Sequence, residues 1–146
     1  MSLEYASIET MASSPSGTVL YVEDNPVNLK LMEMALARRK NIHLISAISF
    51  EAGLALAERL QPDLILLDIN LPGLDGYEGL QVLKQHPELS RVPVAAVTAN
   101  AMKGDRERGL AAGFVDYVTK PFNVAELYAL LDRLLAGAGQ RDRLSP

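Results

Sequence analysis

Residues 64–76 read LILLDINLPGLDG, four apolar residues followed by an aspartate and a turn-forming segment. The first four are apolar throughout rather than alternating with polar residues, which is typical of a strand buried on both faces. Pro72, Gly73 and Gly76 are of the types that favour turns. The stretch therefore predicts a strand of a covered parallel sheet, with Asp68 at its carboxyl end.

Four further apolar runs flank this one in the sequence, at residues 19–22, 42–45, 94–97 and 115–118. The stretches after the runs predict helices over residues 26–40, 50–60, 76–85 and 101–112, and a last helix with the apolar stripe Val124, Leu127, Leu131 and Leu134. Pro26 favours the start of the first helix, and Gly113 the end of the fourth. Alternating strands and helices predict the α/β class. Five such units suit a flavodoxin-like doubly wound (βα)5 fold with a five-stranded parallel sheet of order 2-1-3-4-5.

The composition fits one globular domain. Of 146 residues, 49% are hydrophobic and 22% charged, and the absence of cysteine excludes disulfides and thiolate metal sites. The net charge of −4 argues against direct nucleic-acid binding. No apolar run approaches the ~20 residues that span a bilayer, and no signal peptide is evident, so we expect a cytoplasmic protein without membrane contact. We assign residues 1–17 to a disordered or extraneous tail, 18–136 to the folded domain and 137–146 to a linker-like tail.

Polar residues lie at the carboxyl ends of four predicted strands. Glu23 and Asp24 directly follow the first run, and Asp68 follows the third. Thr98 follows the fourth run, and Lys120 comes two residues after the fifth. Ligands bind at this edge of a doubly wound sheet, where the strand order reverses. Because the order 2-1-3-4-5 makes strands one and three neighbours there, we expect the three carboxylates to converge.

These residue types are the parts of a phosphoryl-transfer site. Three carboxylates in one pocket repel each other unless a cation compensates them. Oxygen ligands without a neighbouring His or Cys favour Mg²⁺, which also binds phosphate oxygens. Lys120 and Thr98 add an ammonium and a hydroxyl that suit a phosphoryl group. Transfer to an aspartate requires such parts, because the chemistry consists mostly of positioning and charge stabilisation.

Each feature alone also has an ordinary structural interpretation. Asp24 or Asn25 could cap the helix that begins at Pro26. Asp68 could belong to a plain turn, since Pro and Gly follow it. A threonine that ends a strand is most often structural, and a lysine before a proline is most often solvated. The occurrence of all these residues at one edge of the sheet favours the functional interpretation.

Four segments resemble the signature segments of the receiver domains of two-component systems. They are residues 22–28 (VEDNPVN), 68–76 (DINLPGLDG), 98–100 (TAN) and 120–122 (KPF). The segments occur in the order and with the spacing of that family, and the resemblance covers about residues 18–136. Residues 23–28 are especially similar to receivers attached to hybrid sensor kinases.

The resemblance implies a role for each residue of the site. Asp68 would be the phosphoacceptor, and Lys120 and Thr98 would bind the phosphoryl group. The ligands of Mg²⁺ would be Glu23, Asp24, Asp68 and the backbone carbonyl of Asn70.

The resemblance also implies a conformational switch, in which Tyr117 changes rotamer when Thr98 moves. The family usually has a cis peptide at the position of Lys120 and Pro121, which proline makes less costly. Asn70 and Asn100 occupy positions that tune the lifetime of the phosphoryl group. Because neither asparagine supplies an acid or a base, we expect hydrolysis that is not especially fast.

The implied phosphoryl donor is a sensor histidine kinase or a histidine phosphotransfer protein. The implied downstream target binds the face formed by the fourth helix, the fifth strand and the fifth helix, where Lys103, Arg106 and Arg108 are candidate contacts. Dimerisation on phosphorylation is common in the family. The chain would be a signalling module and not an enzyme in the usual sense, although it would catalyse its own Mg²⁺-dependent phosphorylation and dephosphorylation.

Three other classes of function fit the sequence less well. An aspartyl-phosphate hydrolase needs an acidic residue two positions after the nucleophile, where this chain has Asn70. A pseudo-receiver would bind partners without the chemistry, and the complete set of site residues argues against it. A flavodoxin-like redox protein is disfavoured, because no phosphate-binding loop follows the first strand.

Overall fold

Five strands alternate with five helices along residues 16–99 and 104–136, the parts of the chain that the computed structural model describes. The strands are β1 (Gly17–Val22), β2 (Ile42–Ala47), β3 (Leu64–Asp68), β4 (Val94–Thr98) and β5 (Asp116–Thr119). The helices are α1 (Pro26–Leu36), α2 (Phe50–Leu60), α3 (Gly76–Gln85), α4 (Asp105–Ala112) and α5 (Val124–Leu135). Residues 1–15 and 137–146, which make up most of the two predicted tails, lie outside the described residues.

The strands form one parallel sheet in the order β2-β1-β3-β4-β5, which confirms the predicted fold. β1 and β3 are neighbours, and their register pairs Val22 with Leu67. The residues that follow, Glu23 and Asp68, therefore leave the sheet at the same level. This register sets the position of the site.

Apolar residues fill both faces of the sheet. Every residue of β3 and β4 is buried, as their unbroken apolar sequences predict. On one face Leu20 and Ile65 pack with Phe50 and Leu80 from α2 and α3. The other face is covered by α1 and α5, and its members include Val19, Tyr21, Leu64, Leu66, Met32 and Leu131. Burial of each such side chain contributes roughly 1.5–3 kcal/mol to the free energy of folding. The sheet therefore holds the residues at its carboxyl edge in fixed positions.

Two predicted helices differ in extent from the observed ones. The first helix was predicted to reach Lys40, but α1 ends at Leu36. The amide of Arg39 bonds the carbonyl of Leu36, and the amide of Ile42 bonds that of Arg39, at 2.9 and 3.0 Å. These tight turns bring Ile42 beside Gly17, where β2 begins.

The fourth helix was predicted over residues 101–112, but α4 begins at Asp105. Gly104 precedes it with a φ of 90°, a left-handed conformation that a right-handed helix cannot continue through. Residues 100–103 lie outside the described residues. Among the helices that are described, none has the length and apolar character needed to span a bilayer.

Candidate functional site

Three carboxylates converge at the carboxyl edge of the sheet, as the strand order predicts. Each of Glu23, Asp24 and Asp68 places an oxygen within 4.8 Å of an oxygen of the other two. Glu23 and Asp68 are buried, with 0% and 2% of their surface exposed, whereas Asp24 is exposed. They line a cleft of about 650 Å³ together with Asn25, Pro26, Asn28, Asn70, Ala99, Lys120 and Pro121. The cleft is thus lined by two buried carboxylates and by one that is exposed to solvent.

The start of α1 explains why Asp24 faces the cleft. The side chain of Asn25 is the N-cap, and its Oδ1 accepts hydrogen bonds from the amides of Val27 and Asn28 at 2.8 and 3.3 Å. Asn25 thereby satisfies amides that the first turn of a helix leaves without partners. Of the two capping residues considered above, Asn25 is the one used, and the Asp24 carboxylate remains available to a ligand.

Lys120 supplies the cation of the cleft. Its Nζ lies 2.8 Å from Oε1 of Glu23 and 3.2 Å from Oδ2 of Asp68. The residue follows β5, where its amide donates to the carbonyl of Thr98 at 2.8 Å, and its bond to Pro121 is cis. Burial would lower the pKa of Lys120, but the hydrogen bond to Glu23 and the charges of both carboxylates raise it above its ordinary value. The ammonium therefore stays charged.

Tyr21 is part of the site, although sequence reasoning missed it. Its hydroxyl donates to Oε1 of Glu23 at 2.8 Å from a fully buried position in β1. Burial and the neighbouring Glu23 raise the pKa of Tyr21, so the hydroxyl keeps its proton. A signal was present, because residues two apart on a strand share a face and Tyr21 stands two residues before Glu23.

The buried carboxyls differ in their affinity for a proton. Burial raises the pKa of Asp68 to about 6, and the hydrogen bond and charge of Glu23 act in the same direction. Burial also disfavours the charged form of Glu23, but hydrogen bonds with Asp68, Lys120 and Tyr21 outweigh it and lower its pKa to about 2. One ammonium does not fully compensate two buried carboxylates. Burial and the charge of Glu23 therefore favour the protonated form of Asp68 when no further cation is bound.

Asn70 and Thr98 form a second layer beside Asp68. The amide of Asn70 donates to Oδ1 of Asp68 at 2.8 Å. The hydroxyl of Thr98, the buried last residue of β4, lies 3.0 Å from Oδ1 of Asn70 and donates to it. Thr98 is thus tied to the loop that follows Asp68. Asn100, predicted to act with Asn70, lies outside the described residues.

Tyr117 lies next to Thr98 with its ring directed into the protein. Only 7% of the residue is exposed. Burial raises the pKa of Tyr117, and a hydrogen bond with the Thr98 side chain partly offsets that increase. The two residues predicted to form a switch are therefore in contact at their polar ends.

A second charged cluster, which sequence reasoning did not identify, lies away from the cleft on β5, α4 and α5. Both Arg106 and Arg133 form ion pairs with Asp116, the former at 2.9 Å. Burial would raise the pKa of Asp116, but hydrogen bonds from Arg133 and the Tyr117 amide lower it, as do the arginine charges. A charged residue inside an apolar run was the available signal, since buried charges are usually paired.

Comparisons with known proteins identify the family of the chain. The family described as the response regulator receiver domain matches residues 19–132. The signal transduction histidine-protein kinase BarA of Escherichia coli (strain K12) is 39% identical over 127 residues, which cover 87% of this chain but only 14% of BarA. The polar-differentiation response regulator DivK of Brucella ovis is 40% identical over 121 residues, which cover 83% of this chain and 98% of DivK.

A solved structure provides a further comparison. The receiver domain of the sensor histidine kinase PA1611 from Pseudomonas aeruginosa PAO1 was determined with a magnesium ion coordinated in its active-site cleft. It is 41% identical to this chain, with a TM-score of 0.72, and the match covers 84% of this chain and 98% of that domain.

Proposed function

This chain belongs to the response regulator receiver family, and we propose that it accepts a phosphoryl group on Asp68 from a histidine kinase or a histidine phosphotransfer protein. One observation carries the proposal. The buried Asp68 carboxylate opens into the cleft with an ammonium 3.2 Å away and two further carboxylates beside it. A nucleophile, a counter-charge for the phosphoryl oxygens and oxygen ligands for a cation thus occupy one place.

The residues of the cleft fit a magnesium ion. The donors are oxygens, they lie close enough to share one ion, and the exposure of Asp24 lets water complete the shell that Mg²⁺ keeps. We assign the ligands to Glu23, Asp24, Asp68 and the Asn70 carbonyl. The ion would supply positive charge to the phosphoryl oxygens, and would favour the ionised form of Asp68. The magnesium ion in the active-site cleft of the PA1611 receiver supports the presence of an ion here.

Asp68 presents one oxygen for attack. Oδ1 accepts the amide of Asn70 at 2.8 Å, which orients the carboxylate, while Oδ2 faces Lys120. We infer that Oδ2 forms the new bond to phosphorus as the bond from phosphorus to the donor imidazole nitrogen breaks. The imidazole leaves with its electron pair, and Lys120 pairs with a phosphoryl oxygen. The products are an aspartyl phosphate and an unphosphorylated histidine.

Thr98 and Tyr117 are proposed to report the modification. A phosphoryl group on Asp68 offers oxygens that compete with Asn70 for the Thr98 hydroxyl. When Thr98 turns toward them, its contact with Tyr117 changes, and the population of ring positions shifts. Asn70 and Asn100 would tune the lifetime of the product, since neither is an acid or a base.

The proposed function also implies a cellular location and partners for the chain. We propose a cytoplasmic signalling module that catalyses its own modification and its reversal. Its downstream target would bind the face of α4, β5 and α5, where Arg106 and Arg108 are exposed. A dimer that forms on phosphorylation would use the same kind of surface. The chain spans only 14% of BarA but 98% of DivK.

Intact mass spectrometry after incubation with acetyl phosphate tests the chemistry. We expect the gain of one phosphoryl group with Mg²⁺, and no gain with EDTA or in Asp68→Asn. Asp132→Asn, an exposed aspartate on α5, is the matched control and should be modified like the wild type. No gain in folded wild-type protein with Mg²⁺ would reject the proposal in favour of a pseudo-receiver.

A further inference from the structure

Helix α4 reaches the core through a residue that has no side chain. Gly109 is the one buried residue of Asp105–Ala112, and the others are exposed or half-buried. The ring of Tyr117 lies against it. A Cβ added at Gly109 would stand 2.9 Å from Cδ2 and 3.2 Å from Cε2 of that ring. Carbon atoms in contact normally stay 3.5–4.0 Å apart, so this position of the ring requires glycine.

Two further contacts lie at the junction of α4 with β5. The same Cβ would lie 3.8 Å from Cδ2 of Phe114, whose ring meets that of Tyr77 edge to face at 5.6 Å between centroids. Arg106 of α4 donates to the carbonyl of Tyr117 at 3.4 Å, which joins the helix to β5 a second time. Pressure at Gly109 must therefore displace either the Tyr117 ring or α4.

We propose that Gly109 is a positioning residue, whose bare backbone holds the ring of Tyr117 inward against Thr98 and couples that ring to the placement of α4. The link between this contact and signalling rests on the proposed function, but the position of the Tyr117 ring does not. Since the partly buried Ala112 is the one apolar side chain of α4 that packs on the core, a change in the ring alters much of the contact between the helix and the core. The exposed residues of α4, among them Arg106, Glu107 and Leu110, would then move with it.

Helix propensity alone predicts that replacing Gly109 with alanine stabilises the protein, which is the opposite of what the proposal predicts. Glycine inside a helix is unfavourable relative to alanine. If Gly109 were an ordinary helical residue, Gly109→Ala would raise the melting temperature. If it seats the ring, the added methyl group meets Tyr117, and the gain is lost or reversed.

A double-mutant cycle of thermal melts separates these expectations. The proteins are the wild type, Gly109→Ala, Tyr117→Ala and the double variant, all without phosphoryl donor. We expect Gly109→Ala to lower the melting temperature when Tyr117 is present and to raise it when Ala replaces Tyr117. An equal rise in both backgrounds would overturn the proposal. Because the second background has no ring to clash with, the cycle remains readable even if the single variant is poorly folded.

Aromatic NMR provides a readout that stability alone would not move. We expect Gly109→Ala to shift the Tyr117 ring signals, assigned with Tyr117→Phe, toward those of an exposed tyrosine. Leu110→Ala, an exposed neighbour on α4, should leave them unchanged. Unchanged ring signals in folded Gly109→Ala would overturn the proposal. Failure of Asp68 phosphorylation would instead refute the proposed function and leave the ring result intact.

Discussion

The ammonium of Lys120 lies 2.8 Å from the carboxylate of Glu23, closer than the 3.2 Å that separates it from Asp68. The Tyr21 hydroxyl donates to the same oxygen of Glu23, also at 2.8 Å. Glu23 is therefore the better satisfied of the two buried acids and holds the lysine in place. Asp68 lies farther from the shared ammonium and has the higher pKa of the two. A further positive charge would therefore stabilise the ionised form of Asp68 in particular.

Lys120→Met should slow phosphorylation of Asp68, and it should also lower stability because it leaves the buried carboxylates of Glu23 and Asp68 without their ammonium. The substitution removes the cation that would pair with the transferred phosphoryl oxygens, and the loss of one such group typically costs about 10²–10³ in rate. The rate of mass gain with acetyl phosphate and Mg²⁺ measures the effect. Lys30→Met, at an exposed lysine of α1, should react at the wild-type rate. A wild-type rate in Lys120→Met would remove the lysine from the mechanism.

Asp68→Asn should stabilise the protein in EDTA at neutral pH, by up to about 3 kcal/mol. The pKa of Asp68 is about 6 in the folded protein and about 3.9 in an unfolded chain. The folded state therefore binds the proton more tightly, and the wild type loses stability as the pH rises from about 4 to 6. Urea denaturation at several pH values should show the variant ahead at pH 7.5 and the two proteins converging near pH 4.

Magnesium supplies the control for that experiment. Binding to the folded state should raise the stability of the wild type as the concentration of Mg²⁺ increases, and should do so less in Asp68→Asn, which lacks one charged ligand. If Mg²⁺ stabilised both proteins equally, Asp68 would not be a ligand.

Asp116→Asn should destabilise the protein at pH 7 by about 1–2 kcal/mol, at the lower end for charged hydrogen bonds because both arginine partners are about half exposed. The folded pKa of Asp116 is lowered, so its contribution is present above about pH 4 and is lost as the pH falls through the lower folded value. Melts from pH 6 to pH 2.5 should show the wild-type advantage shrinking with acid. An advantage that persisted at pH 2.5 would contradict the ion-pair explanation. Asp132→Asn is the surface control.

Tyr21→Phe should cost about 1.5–3 kcal/mol of stability, because it removes a donor from a buried charged acceptor. It should also raise the pKa of Glu23, since one of the hydrogen bonds that lower that pKa is lost. Urea denaturation and carboxyl ¹³C NMR of Glu23 measure the two effects. Tyr77→Phe, at a half-buried tyrosine outside the cleft, is the control. No change in either quantity would mean that the hydroxyl does not support Glu23.

The sequence predicted the sheet better than the limits of its helices. Unbroken apolar runs identify β1, β3 and β4 because an inner strand is buried on both faces. The end of α1 was wrong, since the residues after Leu36 form turns that depend on where β2 begins and not on local propensity.

The candidate site was predicted as a set of residues, but its internal bonds were not. Strand order alone brings Glu23, Asp24 and Asp68 together. The two-residue spacing places Tyr21 on the same side as Glu23, but an apolar run does not reveal that a tyrosine within it is hydrogen-bonded. The ion pairs of Asp116 with two arginines depend on how α4 and α5 pack against β5, and no local sequence pattern specifies that packing.

The separation of the site residues along the chain has a consequence for biosynthesis. Glu23 and Lys120 are 97 positions apart, and Asp68 and Lys120 are 52 apart. A ribosome makes both buried acids before their lysine, so a nascent chain that pairs β1 with β3 brings the two carboxylates together with no ammonium between them. Their repulsion opposes early closure of that edge. Because Lys120 follows β5, the cleft has its full set of charges only after that strand has been made.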